Sequence, residues 1–261
     1  MRFPWATLAL CFVFLGVYFY SSEGALYPND SMLNQAAFGF PNLGGILFHL
    51  FFHVGLLHLF GNLIPFIVFA LVIEESLSHQ DVFYVFLVSG LVAGFIFSLL
   101  NPSTLLVGAS AGISGLMAAG TVVNPKKGIP LLLLLPLAVS FIVSPSVTAF
   151  SQAAVDSLAS QKQSLEDTAA VFEAQNKTVE AQETKEQVKV VEQKIALTVQ
   201  GQERERKTPT DLVVHAVGAV VGFFFVSLIR KKKFEDGMDE MVEIVEWARE
   251  KTHKMAKSKK K

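Results

Sequence analysis

Residues 47–73 read LFHLFFHVGLLHLFGNLIPFIVFALVI, a run with no Lys, Arg, Asp or Glu but with His49, His53, His58 and Asn62 embedded in it. A bilayer-spanning helix needs roughly 20 mostly apolar residues at about 1.5 Å each. The stretch therefore reads as a membrane span with residues to spare, its start lying in the interface. Five further apolar runs flank it, at about Phe3–Tyr20, Val82–Leu100, Ala109–Val123, Ile129–Phe150 and Asp211–Ile229. Asn101-Pro102 closes one of them, because proline disfavours helical geometry at the residue before it. Pro130, Pro136 and Pro145 should kink or break the fifth. The first reads as a retained signal anchor: Arg2 is a minimal positive flank, and the aromatic end Val17-Tyr18-Phe19-Tyr20 is a poor cleavage site despite Gly24 and Ala25 beyond it. The expected fold is all-α, a six-span polytopic bundle.

Charge supports this layout. The 261 residues are 51% hydrophobic and 17% charged, with a mean hydropathy of +0.44, whereas a soluble domain carries about 25% charged residues. The formal net charge of -1 conceals segregation. Residues 1–150 hold only Arg2, Lys126, Lys127, Glu23, Asp30, Glu74, Glu75 and Asp81. An ordinary soluble globule and a disordered chain are excluded, and a nucleic-acid binder is disfavoured. Lys126-Lys127 and Arg230-Lys231-Lys232-Lys233 flank spans, as cytoplasmic loops do, while residues 21–45 carry no Lys or Arg. Both termini are thus expected in the cytoplasm. The lone Cys11 lies in an apolar run and reads as a small buried hydrophobe.

Four segments follow: 1–150 with five spans, 151–207, 208–229 with the sixth span, and 230–261. Segment 151–207 carries eight basic and ten acidic residues and no proline. Its many Ala, Gln, Glu and Lys residues favour helix. Val155, Leu158, Leu165, Ala169 and Phe172 recur irregularly, so one long helix, a helical hairpin or a solvated coil are all compatible with it. The segment is expected on the exterior side of the membrane. Asn176-Lys177-Thr178 fits the glycosylation pattern. In the tail, Met238, Met241, Val242, Val245 and Trp247 followed by lysines fit either an amphipathic helix on anionic lipid or a solvated, topology-fixing end.

Ionisable groups within spans are costly and therefore functional candidates. At 100° per residue His58 and Asn62 share a face, as do His49 and His53 if helical. His215, Gly218 and Gly222 form one stripe, and Ala111, Gly115 and Ala119 another; such small-residue stripes let helices approach closely in lipid. If the fourth and sixth spans pair, Ser110 and His215 come together at the exterior ends of their helices. A hydroxyl beside an imidazole is the minimum for nucleophilic hydrolysis. Backbone N–H groups near Ser110, with His58 and Asn62, could receive an oxyanion. Asp211 reads as a helix N-cap, and His79 and His253 as solvated.

These residues resemble a family. His53-Val54-Gly55-Leu56-Leu57-His58-Leu59-Phe60-Gly61-Asn62 is similar to the His-x4-His-x3-Asn signature of the rhomboid intramembrane serine proteases. Gly108-Ala109-Ser110-Ala111 resembles their nucleophile motif, and His215-x2-Gly218-x3-Gly222 their final-helix motif. The resemblance implies a six-helix rhomboid bundle, with 151–207 inserted between helices five and six where the family has a short loop. It implies a Ser110–His215 catalytic dyad, an oxyanion site from the Ser110 backbone, His58 and Asn62, and structural roles for His53, Glu74, Gly108, Gly218 and Gly222. The implied protein is multi-pass, in the cell membrane, with its site near the exterior face. Its partners would be transmembrane substrates and the bilayer, without nucleic acid, cofactor or metal. Gly44-Gly45 stands roughly where the family often has Trp-Arg, and Ser114 where it commonly has an aromatic residue. Two rivals are a proteolytically inactive relative that binds client helices, and a haem protein using His49, His53, His58 and His215.

Overall fold

A computed structural model describes residues 3–23, 25–207 and 212–258. Arg2, Gly24 and Asp211, singled out above, lie outside them. Among the described residues the chain is helical, without strands. In order come α1 (Trp5–Ser22), α2 (Asp30–Ala36), α3 (Leu56–Ser76), α4 (His79–Leu100), α5 (Ser110–Val123), α6 (Pro125–Ala138), α7 (Ser144–Ala174), α8 (Thr178–Lys207), α9 (Leu212–Ile229) and α10 (Lys231–Ser258). Among the described residues five stretches are long and apolar enough to cross a membrane: α1, α3, α4, the continuous run Pro125–Ala174, and α9. The protein is an integral, multi-pass membrane protein.

α5 is the exception in length. Its 14 residues rise about 21 Å, short of a hydrocarbon core of about 30 Å. It lies inside the bundle, with Ala111, Gly112, Ile113, Gly115, Leu116 and Ala119 all buried. Around it Phe14, Phe66 and Phe86 meet edge-on, their ring centroids 5.1 to 5.8 Å apart, the geometry that ring quadrupoles favour. α9 packs parallel to α5 at backbone contact. A Cβ added at Gly218 would lie 2.1 Å from the Ala111 carbonyl oxygen, and one at Gly222 would lie 2.1 Å from that of Gly115. The two small-residue stripes are thus one interface.

Carboxylates fix one end of the bundle. Glu74, 3% exposed, ends α3 and accepts from the Ala6 and Thr7 backbone N–H groups and the Thr7 hydroxyl, in the first turn of α1. It also pairs with His79 Nδ1 at 2.5 Å, so His79 is not the free solvated group its loop position suggested. Asp81 holds Arg230 through two hydrogen bonds of 2.9 and 3.1 Å, tying the start of α4 to the end of α9. Lys127 reaches Glu75, and Lys126 reaches Glu240 of α10. The start of α1 and the ends of α3, α5 and α9 therefore share this face.

Three expectations change. The helix does not begin at Leu47: residues 43–46 form a 3₁₀ turn and α3 starts at Leu56. Gly45 is pressed on the Ala37 carbonyl, where an added Cβ would come within 2.2 Å of the oxygen, which holds the segment in a loop. His49 and His53 therefore lie before the helix and share no helical face. The prolines of the fifth span do not interrupt it; Pro136 is followed by a π-helical turn, Val139–Val143, and the helix continues into α7. No break marks residue 150.

Finally, 151–207 is neither coil nor a single helix. α7 and α8 form an antiparallel hairpin, linked by Lys162–Glu192, Lys185–Glu173 and, at its base, Gln202–Ser151. Asn176, in left-handed geometry (φ 56°), makes the turn at its far tip.

Candidate active site

The turn before Ser110 is built from three constraints. Phe38 and Leu106 exchange backbone hydrogen bonds of 2.9 and 2.8 Å, and Gly108 N–H donates to His49 O at 2.8 Å. Gly108 takes φ +125°, a region costly for any residue with a Cβ. A Cβ there would also lie 2.7 Å from His58 Cε1 and 2.9 Å from Nε2. Glycine thus permits both the turn and the close approach of the His58 ring edge.

Ser110 is the first residue of α5, where backbone N–H groups have no intrahelical acceptor. Ser114, four residues on, donates its hydroxyl to the Ser110 carbonyl at 2.9 Å, so it serves its own helix. His58 and Asn62 stand one turn apart on α3, with Asn62 Nδ2 donating to the His58 carbonyl at 2.8 Å. His53 packs edge-on against Phe14 of α1 and lies 5.2 Å from the His58 ring, buttressing it from behind. His49 is buried under α4, where Gly94 leaves room for its Nε2. Among the described residues no group of three His, Cys, Asp or Glu could hold a metal ion.

His58, Asn62, Ser110 and His215 line one cavity of about 1430 Å³. It opens at the bundle end opposite Glu74. The α5–α9 contacts set its geometry: with Ala111 on Gly218 and Gly115 on Gly222, the same register carries His215 to the level of the Gly108–Ser110 turn. Val139 and Ser140 of the π-helical turn and Ser144 at the start of α7 border the cavity on a further side.

Another part of the wall comes from the hairpin, which the sequence did not assign to the site. Glu203, Arg204 and Glu205, near the C-terminal end of α8, line the cavity. Arg204 is held by Asp30 at 2.8 Å and by the Pro28 carbonyl at 3.3 Å. Tyr27 bonds Ser151 at 3.0 Å while its ring covers Gly201, where a Cβ would meet it at 2.2 Å. Glu205 Oε1 accepts from the His58 backbone N–H at 2.6 Å. Burial pushes this carboxyl above its ordinary value, against hydrogen bonds that favour its charged form. One sequence signal pointed here: α3 opens Gly55-Leu56-Leu57-His58, with no Ser, Thr, Asp or Asn to cap it.

The Rhomboid domain family model matches residues 42–159. This match supports a rhomboid-family protein. The matched rhomboid domain takes in α3, α4, α5 and α6 with the start of α7, hence His58, Asn62 and Ser110; α8 and α9 lie beyond it. No curated protein and no solved structure matches the chain.

Proposed function

We propose that this rhomboid-family protein is an intramembrane serine endopeptidase. It would cut membrane-protein substrates in or beside their spans through a Ser110–His215 dyad. The observation that carries the reading is the shared cavity: the residue types a serine hydrolase needs, drawn from α3, α5 and α9, line one space. His215 takes the Ser110 proton as general base, and Ser110 Oγ attacks the scissile carbonyl. The oxyanion is received by backbone N–H groups at the start of α5 with the His58 and Asn62 side chains. His215 then protonates the leaving amine, and water hydrolyses the acyl-serine by the same route reversed.

Water is the scarce reagent in a bilayer. A short central helix supports its supply, because α5 begins below the full span height and the cavity above it is lined by polar groups. Counting α5, six spans place both termini on one side, and the basic flanks assign that side to the cytoplasm. Substrate helices must unwind locally to expose a carbonyl. Among the described spans the run Pro125–Ala174 is the least buried, which suits it to lateral access.

The test is cleavage of a transmembrane reporter by wild type, Ser110→Ala and His215→Ala. Wild type cleaves and both variants are inert. Activity surviving either substitution overturns the dyad.

A further inference from the structure

Resting on the protease reading, we propose that Glu205 is a positioning residue: from the end of α8 its carboxylate completes the N-terminus of α3 and so fixes the His58–Asn62 turn, coupling the appended hairpin to the oxyanion side of the reaction.

The geometry has four parts. α3 lacks a cap of its own, since Gly55 at its N-cap has no side chain to accept from the second and third helical N–H groups. Glu205 supplies that acceptor from 147 positions away, on His58, with Leu57 contributing a second backbone donor. Gly55 is also the only residue that leaves room for it, because an added Cβ would lie 2.6 Å from both Cδ and Oε1 of Glu205. Lastly, the carboxylate is anchored from behind by the Arg204–Asp30 pair and the Tyr27–Ser151–Gln202 chain of hydrogen bonds. A negative charge at a helix N-terminus is favourable. His58 bears both the capped N–H and an oxyanion-facing ring, and its carbonyl receives the Asn62 amide. The cap therefore fixes the backbone from which both side chains project.

The role separates from simple structural support by what it leaves unchanged. Full-length protein in detergent would be compared as wild type, Glu205→Ala, Glu205→Gln, Gly55→Ala and the Gly55→Ala/Glu205→Ala double variant, with Ser110→Ala as blank. Glu205→Ala should lower kcat about tenfold with KM nearly unchanged, and Glu205→Gln, which keeps an acceptor oxygen, should restore most of it. Gly55→Ala expels the same carboxylate, so the double variant should be no worse than Glu205→Ala alone. Amide exchange at Leu57 and His58 should quicken in Glu205→Ala and not in Glu205→Gln. Wild-type kcat in Glu205→Ala, a loss carried by KM, multiplicative losses in the double variant, or unchanged exchange at Leu57 and His58 would each overturn the proposal. If wild type fails to cleave, or Ser110→Ala cleaves equally, it is the protease reading that falls, and the exchange rates still decide whether Glu205 caps α3.

Discussion

Gly222→Ala adds one methyl group two turns below His215, on the same face of α9. That methyl would meet the Gly115 carbonyl oxygen at 2.1 Å and the Gly115 Cα and carbonyl carbon at 2.6 Å. Carbon–oxygen contacts between packed helices settle at about 3.3–3.6 Å. The two helices must therefore part by roughly 1.2 Å or more at that level. Both partners are backbone, so no rotamer change relieves the contact. Overpacking of this kind costs about 1–3 kcal/mol. The larger effect should fall on cleavage, because a displacement of about 1 Å between reacting groups can cost about 10²-fold in rate. Gly16→Ala is the internal control. An added Cβ at Gly16 meets nothing within 4 Å, and Ala gains about 1 kcal/mol over Gly in a helix. Thermal unfolding and reporter kinetics would be measured side by side. Gly222→Ala should unfold earlier and cleave far more slowly, with Gly16→Ala at least as stable as wild type and fully active. An undiminished rate in Gly222→Ala would refute the idea that α5–α9 contact sets the Ser110–His215 register.

Other substitutions probe different parts of the molecule. Glu74→Ala leaves the Ala6 and Thr7 N–H groups and His79 without their acceptor, and should cost about 1–2 kcal/mol in denaturant unfolding, with Glu74→Gln recovering part. A pH effect follows from Glu205, whose carboxyl is raised by burial. Between the ordinary glutamate value and the raised one the folded chain binds more protons than the unfolded, so stability contributed there falls as pH rises through that window. Tyr27, raised further by burial, stays protonated throughout, and Arg204 remains engaged by Asp30. Thermal midpoints scanned from about pH 4 to about pH 8 should show that slope in wild type and lose it in Glu205→Gln. Excising the distal hairpin, residues 163–191, and closing it with a short turn keeps Ser151, Gln202, Arg204 and Glu205. Small-reporter cleavage should persist while the range of large substrates changes; an unaltered range would remove the hairpin from substrate selection.

The membrane fold and the candidate residues were legible because helical periodicity ties them to fixed offsets. His58 and Asn62 must be four apart to share a face, and Gly218 and Gly222 must repeat at the spacing of Ala111 and Gly115 to let two backbones touch. The hairpin was obscure for the opposite reason. Its seam does repeat at alternating three- and four-residue steps: Ser151, Val155, Leu158, Lys162, Leu165, Ala169 and Phe172 on α7, and Ala181, Thr184, Val188, Val191, Ile195 and Thr198 on α8, are all withdrawn from full exposure. Polar residues at Ser151, Lys162, Thr184 and Thr198 hide that repeat from a reading of apolar positions alone. Glu205 was hidden more deeply. Nothing local to a charged helix end says that its carboxylate caps another helix 147 positions away. Likewise, the start of α3 at Leu56 follows from the crowded Ala37–Gly45 contact, a tertiary constraint without a sequence period.

The Glu205 contact also has a consequence for the order in which the protein can be made. The chain leaves the ribosome from its N-terminus, at about 5–20 residues per second. α3 must be delivered to the bilayer early, yet the carboxylate that completes it is encoded 147 residues after His58. His215 follows ten positions later still. For roughly 5 to 20 seconds, the nascent bundle holds Ser110 without the groups that finish its surroundings. Ripening of the site is a late event in biogenesis, deferred until the hairpin has folded back onto the helices that preceded it.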